Sequence, residues 1–202
     1  MNETSRNAGE QPSSLADLEH ELIHHTELPR TTLSNGLDAV VDRLGVLFSW
    51  LWVVTVGVIL YSVIARYVFS QGSVMLEEVQ WHLAGAAWLI GLSYTLVHDD
   101  HVRVDVLHER FSQKTQAWIE IFGIVLLLLP FLLIALWEVS PYAWSSFQQG
   151  ENSQAPNGLP ARWVLKFFLP LAVGLLIIAA LARLSRVTAL LFGLPRPINS
   201  GR

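Results

Sequence analysis

The sequence predicts an all-α integral membrane protein with four transmembrane helices, both termini in the cytoplasm and an amphipathic N-terminal helix. Hydrophobic residues make up 52% of the 202 residues and charged residues only 15%, against about 25% charged in an ordinary soluble domain. The apolar residues are concentrated in four runs with few charges, close to the length that crosses a bilayer. The absence of cysteine excludes a disulfide framework, a thiolate metal site and a cysteine nucleophile.

The charge is unevenly distributed along the chain. Residues 1–43 contain eight acids and three arginines, a net charge of −5, whereas the rest contains ten basic and nine acidic residues. We therefore predict an acidic polar tail over residues 1–36, a membrane domain over 37–190 and a cytoplasmic tail over 191–202. No stretch is basic enough to follow a phosphate backbone, so nucleic acid is not expected as a partner.

Two segments before the first span have apolar residues at helical spacing. The first, residues 15–23, follows Ser13, which can cap a helix. This segment could either dock on a partner or be only a nascent helix. The second, residues 37–44, is expected to lie in the membrane interface and lead into the first span, with Asp38 and Asp42 turned to water.

Four spans are predicted, at about 44–66, 76–98, 117–138 and 164–184. The first is the clearest because 22 residues pass without a charge. It follows a long polar segment and exceeds the apolar core of a signal peptide, so we expect an uncleaved anchor. The second contains Gln80 and His82, and the last two contain Pro130 and Pro170. We expect kinks rather than breaks at these prolines.

Orientation follows from the basic residues near the helix ends, which favour the cytoplasm. With the N-terminus inside, nine basic residues lie inside and three outside. The inner ones are Arg30, Arg43, Arg103, Arg110, Lys114, Arg183, Arg186, Arg196 and Arg202, and the outer ones are Arg66, Arg162 and Lys166. Residues 140–162, rich in proline and glycine, then form an extended extracytoplasmic loop.

The apolar runs contain few groups for chemistry. His82 lies four residues after Glu78, so the two share a helix face and can pair. We interpret them as an interfacial pair or a partner contact, with a proton relay or ligand site as the alternative. Haem would need two facing histidines, whereas only His82 lies within an apolar run. A zinc site from His98, Asp99 and His101 is conceivable, but such a cluster is more often a polar helix terminus.

No nucleophile elbow, phosphate-binding loop or zinc-protease motif is present. We therefore predict no catalytic residue, cofactor or metal, and a protein that is not an enzyme. Ala87 with Gly91, and Gly45 with Ser49, are pairs of small residues four positions apart that favour close helix packing.

Several motifs together resemble one family. Arg66-Tyr67-Val68-Phe69 ends the first span, Leu76-Glu77-Glu78 opens the second, and His101-Val-Arg-Val-Asp105 follows it. Further on come Gly150-Glu151-Asn152-Ser153 and Gly158-Leu159-Pro160-Ala161-Arg162-Trp163. In this order they resemble the small membrane subunit of bacterial tripartite ATP-independent periplasmic (TRAP) transporters, over about residues 40–190. The sequence departs from the family pattern in two ways. Many members have a tryptophan shortly before the paired acids, where this chain has Met75-Leu76, and the N-terminal extension is long.

The resemblance implies a subunit without a substrate site of its own. It would enlarge the scaffold of a large, separate, sodium-coupled membrane subunit in the bacterial inner membrane, to which a periplasmic binding protein delivers an organic acid. The positions expected to be structural or at the subunit contact are Arg66, Glu77, Glu78, His82, Gly91, His101, Arg103 and Asp105. The alternatives are a stand-alone four-helix membrane enzyme or haem protein, and an assembly factor for another complex.

Overall fold

The structure, a computed structural model, describes residues 28–98 and 111–196. Four long helices form this part of the chain: α1 Thr32–Phe69, α2 Val74–His98, α3 Gln113–Gln148 and α4 Trp163–Phe192. The predicted all-α fold class is therefore confirmed for the described residues. The possible helix at residues 15–23 and the positions His101, Arg103 and Asp105 lie outside the described residues.

Three of the helices, α1, α3 and α4, are long and apolar enough to cross a membrane. They coincide with three of the four predicted spans. Helix α2 has 25 residues, but Gln80 and His82 interrupt its apolar run, and its crossing of the membrane stays a prediction.

Helix α4 lies between the α1–α2 hairpin and α3 and packs against all three. Val41, Val97 and Ala179 form one buried cluster between α1, α2 and α4. A second cluster, around Ile90 and Leu175, continues the same contact along α4. We call the end that carries the α1–α2 connection and the α3–α4 loop the loop end, and the end that carries the start of α1 and the end of α4 the terminal end.

Helix α1 begins well before the predicted start of the first span. Thr31 caps it: its hydroxyl accepts a hydrogen bond from Ser34 N at 3.0 Å, and Ser34 Oγ accepts one from Thr31 N at 3.1 Å. The expected interfacial segment is thus the first turns of α1. The expectation that Asp38 faces water is wrong, because Asp38 pairs with Arg186 of α4 and is only 15% exposed.

Helix α3 extends ten residues beyond the predicted span, so the loop predicted over 140–162 is confined to 149–162. It adopts π geometry over Gly123–Leu128, just before Pro130, and continues through Pro141. Proline is tolerated where surrounding groups satisfy the backbone, and the turns after Pro141 pack on α4, with the Phe147 and Trp163 rings 4.8 Å apart. Helix α4 likewise continues through Pro170 without a break.

Candidate functional site

The first polar site lies at the loop end and is centred on Glu78, in the second turn of α2. Its Oε1 accepts a hydrogen bond from Ser153 Oγ at 2.5 Å, and its Oε2 accepts one from Leu159 N at 2.5 Å. Both donors belong to the α3–α4 loop. One carboxylate on α2 therefore fixes two points of a loop that follows it by some eighty residues. We call Glu78, Ser153, Gly158 and Leu159 the Glu78 cluster.

The close contacts of the Glu78 cluster require that residue 158 has no side chain. A Cβ atom at this position would lie 2.5 Å from Ser153 Oγ and 2.9 Å from Glu78 Oε2. These separations are shorter than any van der Waals contact with carbon, so a side chain would force the hydroxyl and the carboxylate apart. The absence of a side chain at Gly158 is therefore a requirement of the cluster.

A second carboxylate fastens the beginning of the same loop. Glu151 accepts hydrogen bonds from Lys166 Nζ and from Ser146 Oγ, the latter at 2.5 Å. These bonds hold the pKa of the Glu151 carboxyl below its usual range, because they stabilise the charged form. Lys166 Nζ also lies 4.1 Å from the centre of the Tyr142 ring. The loop is thus held to α2, α3 and α4 together.

The three other ionisable residues predicted near the start of α2, Arg66, Glu77 and His82, have separate roles. Arg66 and Glu77 form an ion pair between α1 and α2, with both side chains about half exposed. His82 is on the face of Glu78, as predicted, but its Nδ1 lies 2.7 Å from the Glu78 main-chain oxygen. The Glu78 carboxylate instead binds the α3–α4 loop. His82 Nε2 has no hydrogen-bond partner within the described residues.

The second polar site lies at the terminal end and joins α4 to its neighbours. Arg183 pairs with Glu120 of α3, and Arg186 pairs with Asp38 of α1. The side chains are largely buried, with Arg183 only 6% exposed. We call these two contacts the terminal-end ion pairs. Sequence reasoning missed them because the partners are separated by 63 and 148 positions and no local spacing signals them.

The two predicted pairs of small residues differ in their contacts. A Cβ atom at Gly45 would lie 2.4 Å from Tyr94 Cδ2, so α1 and α2 approach closely there. Nothing lies within 4 Å of the corresponding position at Gly91. Gly91 therefore makes no close helix contact within the described residues, although its partner Ala87 is buried, and its role at a subunit contact stays a prediction.

No group of three or more potential metal ligands occurs within residues 28–98 and 111–196. His82 and His98, the histidines of α2, are sixteen positions apart on one helix, about 24 Å along its axis. They therefore do not face each other across a haem, and the other two residues of the conceivable zinc site, Asp99 and His101, lie outside the described residues. The two sites hold helices and a loop in place.

A family model for the DctQ component of tripartite ATP-independent periplasmic transporters matches residues 55–190. The matched segment contains all four residues of the Glu78 cluster and both residues of the Glu120–Arg183 pair. Among curated proteins, none matches the sequence.

Proposed function

Since the chain belongs to the DctQ family, the small membrane component of TRAP transporters, we propose that it scaffolds a large, separate membrane subunit of the elevator type. The complex would take up an organic acid, delivered by a periplasmic binding protein, and would couple uptake to sodium. The family consists of transporter components and is not an enzyme family. Its match over residues 55–190 carries the proposal.

The distribution of buried surface supports a scaffold role. In α1 and α3, only 11% of the most apolar window is buried inside the chain, and in α4 only 22%. So much uncovered apolar surface is left for lipid or a partner subunit to cover. Helices held at both ends by polar contacts suit a static part of a transporter, against which another subunit moves.

The proposed topology places four spans in the bacterial inner membrane with both termini in the cytoplasm. In this arrangement α2 is the remaining span, because it packs against both α1 and α4 along its apolar length. The excess of basic residues on the terminal side favours this orientation. The loop end, with the Glu78 cluster, then faces the periplasm.

Co-purification followed by transport tests the proposal. The tagged chain, co-expressed with the products of neighbouring genes, should recover a larger multi-span polypeptide in stoichiometric amount from mild detergent. Proteoliposomes containing both, with the cognate binding protein, should take up organic acid only under an inward sodium gradient. A chain that purifies alone, with a coloured cofactor or with turnover of its own, would contradict the proposal and favour a stand-alone protein.

A further inference from the structure

Helix α3 carries one acid whose surroundings differ from those of the acids in both polar sites. Glu138 is exposed, and among the described residues it forms no hydrogen bond and no ion pair. It lies one helical turn deeper than Tyr142, whose ring contacts Lys166. Its neighbours on the outer face, Phe131 and Ile134, are 67% and 65% exposed. An ionisable group is therefore presented outward from the most apolar of the three spans.

Such a position is unfavourable if the face meets only lipid. Glu138 is the last residue of the predicted third span and so lies at the edge of the hydrocarbon region, where a charged side chain beside apolar lipid chains is still costly. Acids in such segments nearly always face protein or water. Lysine and arginine can extend to the interface, but the glutamate side chain is shorter. Glu138 therefore lies where a hydrogen-bond donor on a neighbouring protein would stabilise it.

The backbone next to Glu138 adds a second acceptor to the same surface. Pro141 has no N–H, so the main-chain oxygen of Trp137 lacks its usual donor four residues later. Trp137 itself is 80% exposed. A carboxylate and a carbonyl oxygen thus occupy adjoining positions on an apolar surface, which suits a partner helix that contributes donors, above all a basic side chain.

We infer that the outer face of α3 formed by Phe131, Ile134, Glu138 and Pro141 docks a transmembrane helix of the large membrane subunit through a basic or hydroxyl side chain of that helix. The inference rests on the proposed function. A second copy of this chain fits less well, because two of its three cations at this end, Arg66 and Lys166, are paired. The third, Arg162, lies over the Trp81 ring of its own chain, 5.9 Å from the ring centre.

Crosslinking tests which face meets the partner. One variant of the full chain carries a photo-crosslinking amino acid at Ile134. The control carries it at Leu60 on α1, which is similarly exposed at 57%. Both are co-expressed with the large subunit. We expect a crosslink to the large subunit from Ile134, and a several-fold weaker one from Leu60. Adducts with lipid alone or with a second copy from Ile134, or a stronger adduct with the partner from Leu60, would overturn the inference.

Substitution of Glu138 should change the recovery of the large subunit in different directions, depending on whether the outer face of α3 meets a partner helix or lipid. Glu138→Leu should lower the amount of large subunit recovered per chain about threefold to tenfold, because the interhelical hydrogen bond is lost. Glu138→Gln, which keeps an acceptor oxygen, should lower it less. Unchanged or increased recovery with Glu138→Leu would instead identify a lipid-facing surface.

Two controls separate the possible failures. The unfolding temperature of the isolated chain should not fall in either variant, since Glu138 has no partner among the described residues. If wild-type chain recovers the large subunit but the α3 results fail, only the docking face is wrong. If wild-type chain recovers no large subunit at all, the proposed function fails and this inference fails with it.

Discussion

The two ends of the molecule use the same kinds of residues for different purposes. At the terminal end, arginines of α4 pair with acids of α1 and α3, and these side chains are largely buried. At the loop end, Glu78 accepts hydrogen bonds from uncharged donors, and the Arg66–Glu77 pair is half exposed. The third contact there, the Glu151–Lys166 pair, fastens the beginning of the α3–α4 loop to α4. The comparison indicates that the terminal-end ion pairs hold helices together, whereas the Glu78 cluster determines the conformation of a loop.

The largest effect should come from breaking a terminal-end ion pair. Glu120→Gln should destabilise the chain by about 3–5 kcal/mol, because it removes the carboxylate that faces a buried guanidinium. Glu77→Gln, which breaks the exposed pair with Arg66, should change stability by less than about 1 kcal/mol. Thermal unfolding in detergent measures both. Equal effects would refute the distinction between the two ends. The double variant Glu120→Leu, Arg183→Leu should recover much of the lost stability.

Overfilling the Glu78 cluster should have the next largest effect. Gly158→Ala should destabilise the chain by about 1–3 kcal/mol, because the added Cβ displaces Ser153 and Glu78. Limited proteolysis should then cut the α3–α4 loop faster, while the helices stay intact. Gly72→Ala, in the α1–α2 connection, is the matched control because nothing lies within 4 Å of its Cβ position. Unchanged proteolysis in Gly158→Ala would show that the loop does not depend on this cluster.

A smaller effect is expected between the two ends, where α1 meets α2. Gly45→Ala should cost about 1 kcal/mol, since the Tyr94 ring must move from its stacked position on His98. Gly57→Ala, on the same helix with open space around its Cβ position, should stabilise by up to about 1 kcal/mol through helix propensity. A lower unfolding temperature than wild type for Gly45→Ala and a higher one for Gly57→Ala would confirm the close approach at Gly45.

The smallest effect should be the pH dependence of the loop end. The pKa of Glu151 is lowered in the folded chain, chiefly by Lys166 and then by Ser146. Its contribution to stability is therefore present at neutral pH and is lost as pH falls below about 4, towards the folded pKa. Comparing the proteolysis rate of wild type with that of Glu151→Gln across this range checks the sign. If wild type were still cut more slowly than Glu151→Gln after the Glu151 carboxyl is protonated, the predicted loss of stability at low pH would be contradicted.

The sequence predicted the helices better than their ends. The cores of α1, α3 and α4 follow from uncharged apolar runs, which depend only on local composition. The starts and stops depend on distant residues: Thr31, which caps α1, also bonds Ser185 of α4 at 3.1 Å. Pro141 looked like a loop residue because the packing of the following turns on α4 has no local signal. Helix boundaries set by tertiary contacts are thus beyond the reach of a periodicity argument.

The same limit applies to the two sites. The resemblance singled out Glu78 and the segment from Gly150 to Trp163, but no spacing rule connects them. The pairing of Arg66 with Glu77 is predictable from the sequence, since each residue lies near one end of a short connection. The helical spacing of Leu37, Val40 and Val41 predicts that Asp38 lies on the opposite face, in water, whereas Arg186 determines its environment from 148 positions away.

The length of α1 has a consequence for how the protein sits in its bilayer. With 38 residues, α1 is about 57 Å long, whereas the hydrocarbon layer is about 30 Å thick. Even at a tilt of about 40°, near the upper limit for such helices, about 26 residues fill that layer. About 12 must project from it, and the first turns, which carry Asp38 and Asp42, are the most polar. A change in bilayer thickness would then slide or tilt α1 without stretching its hydrophobic segment.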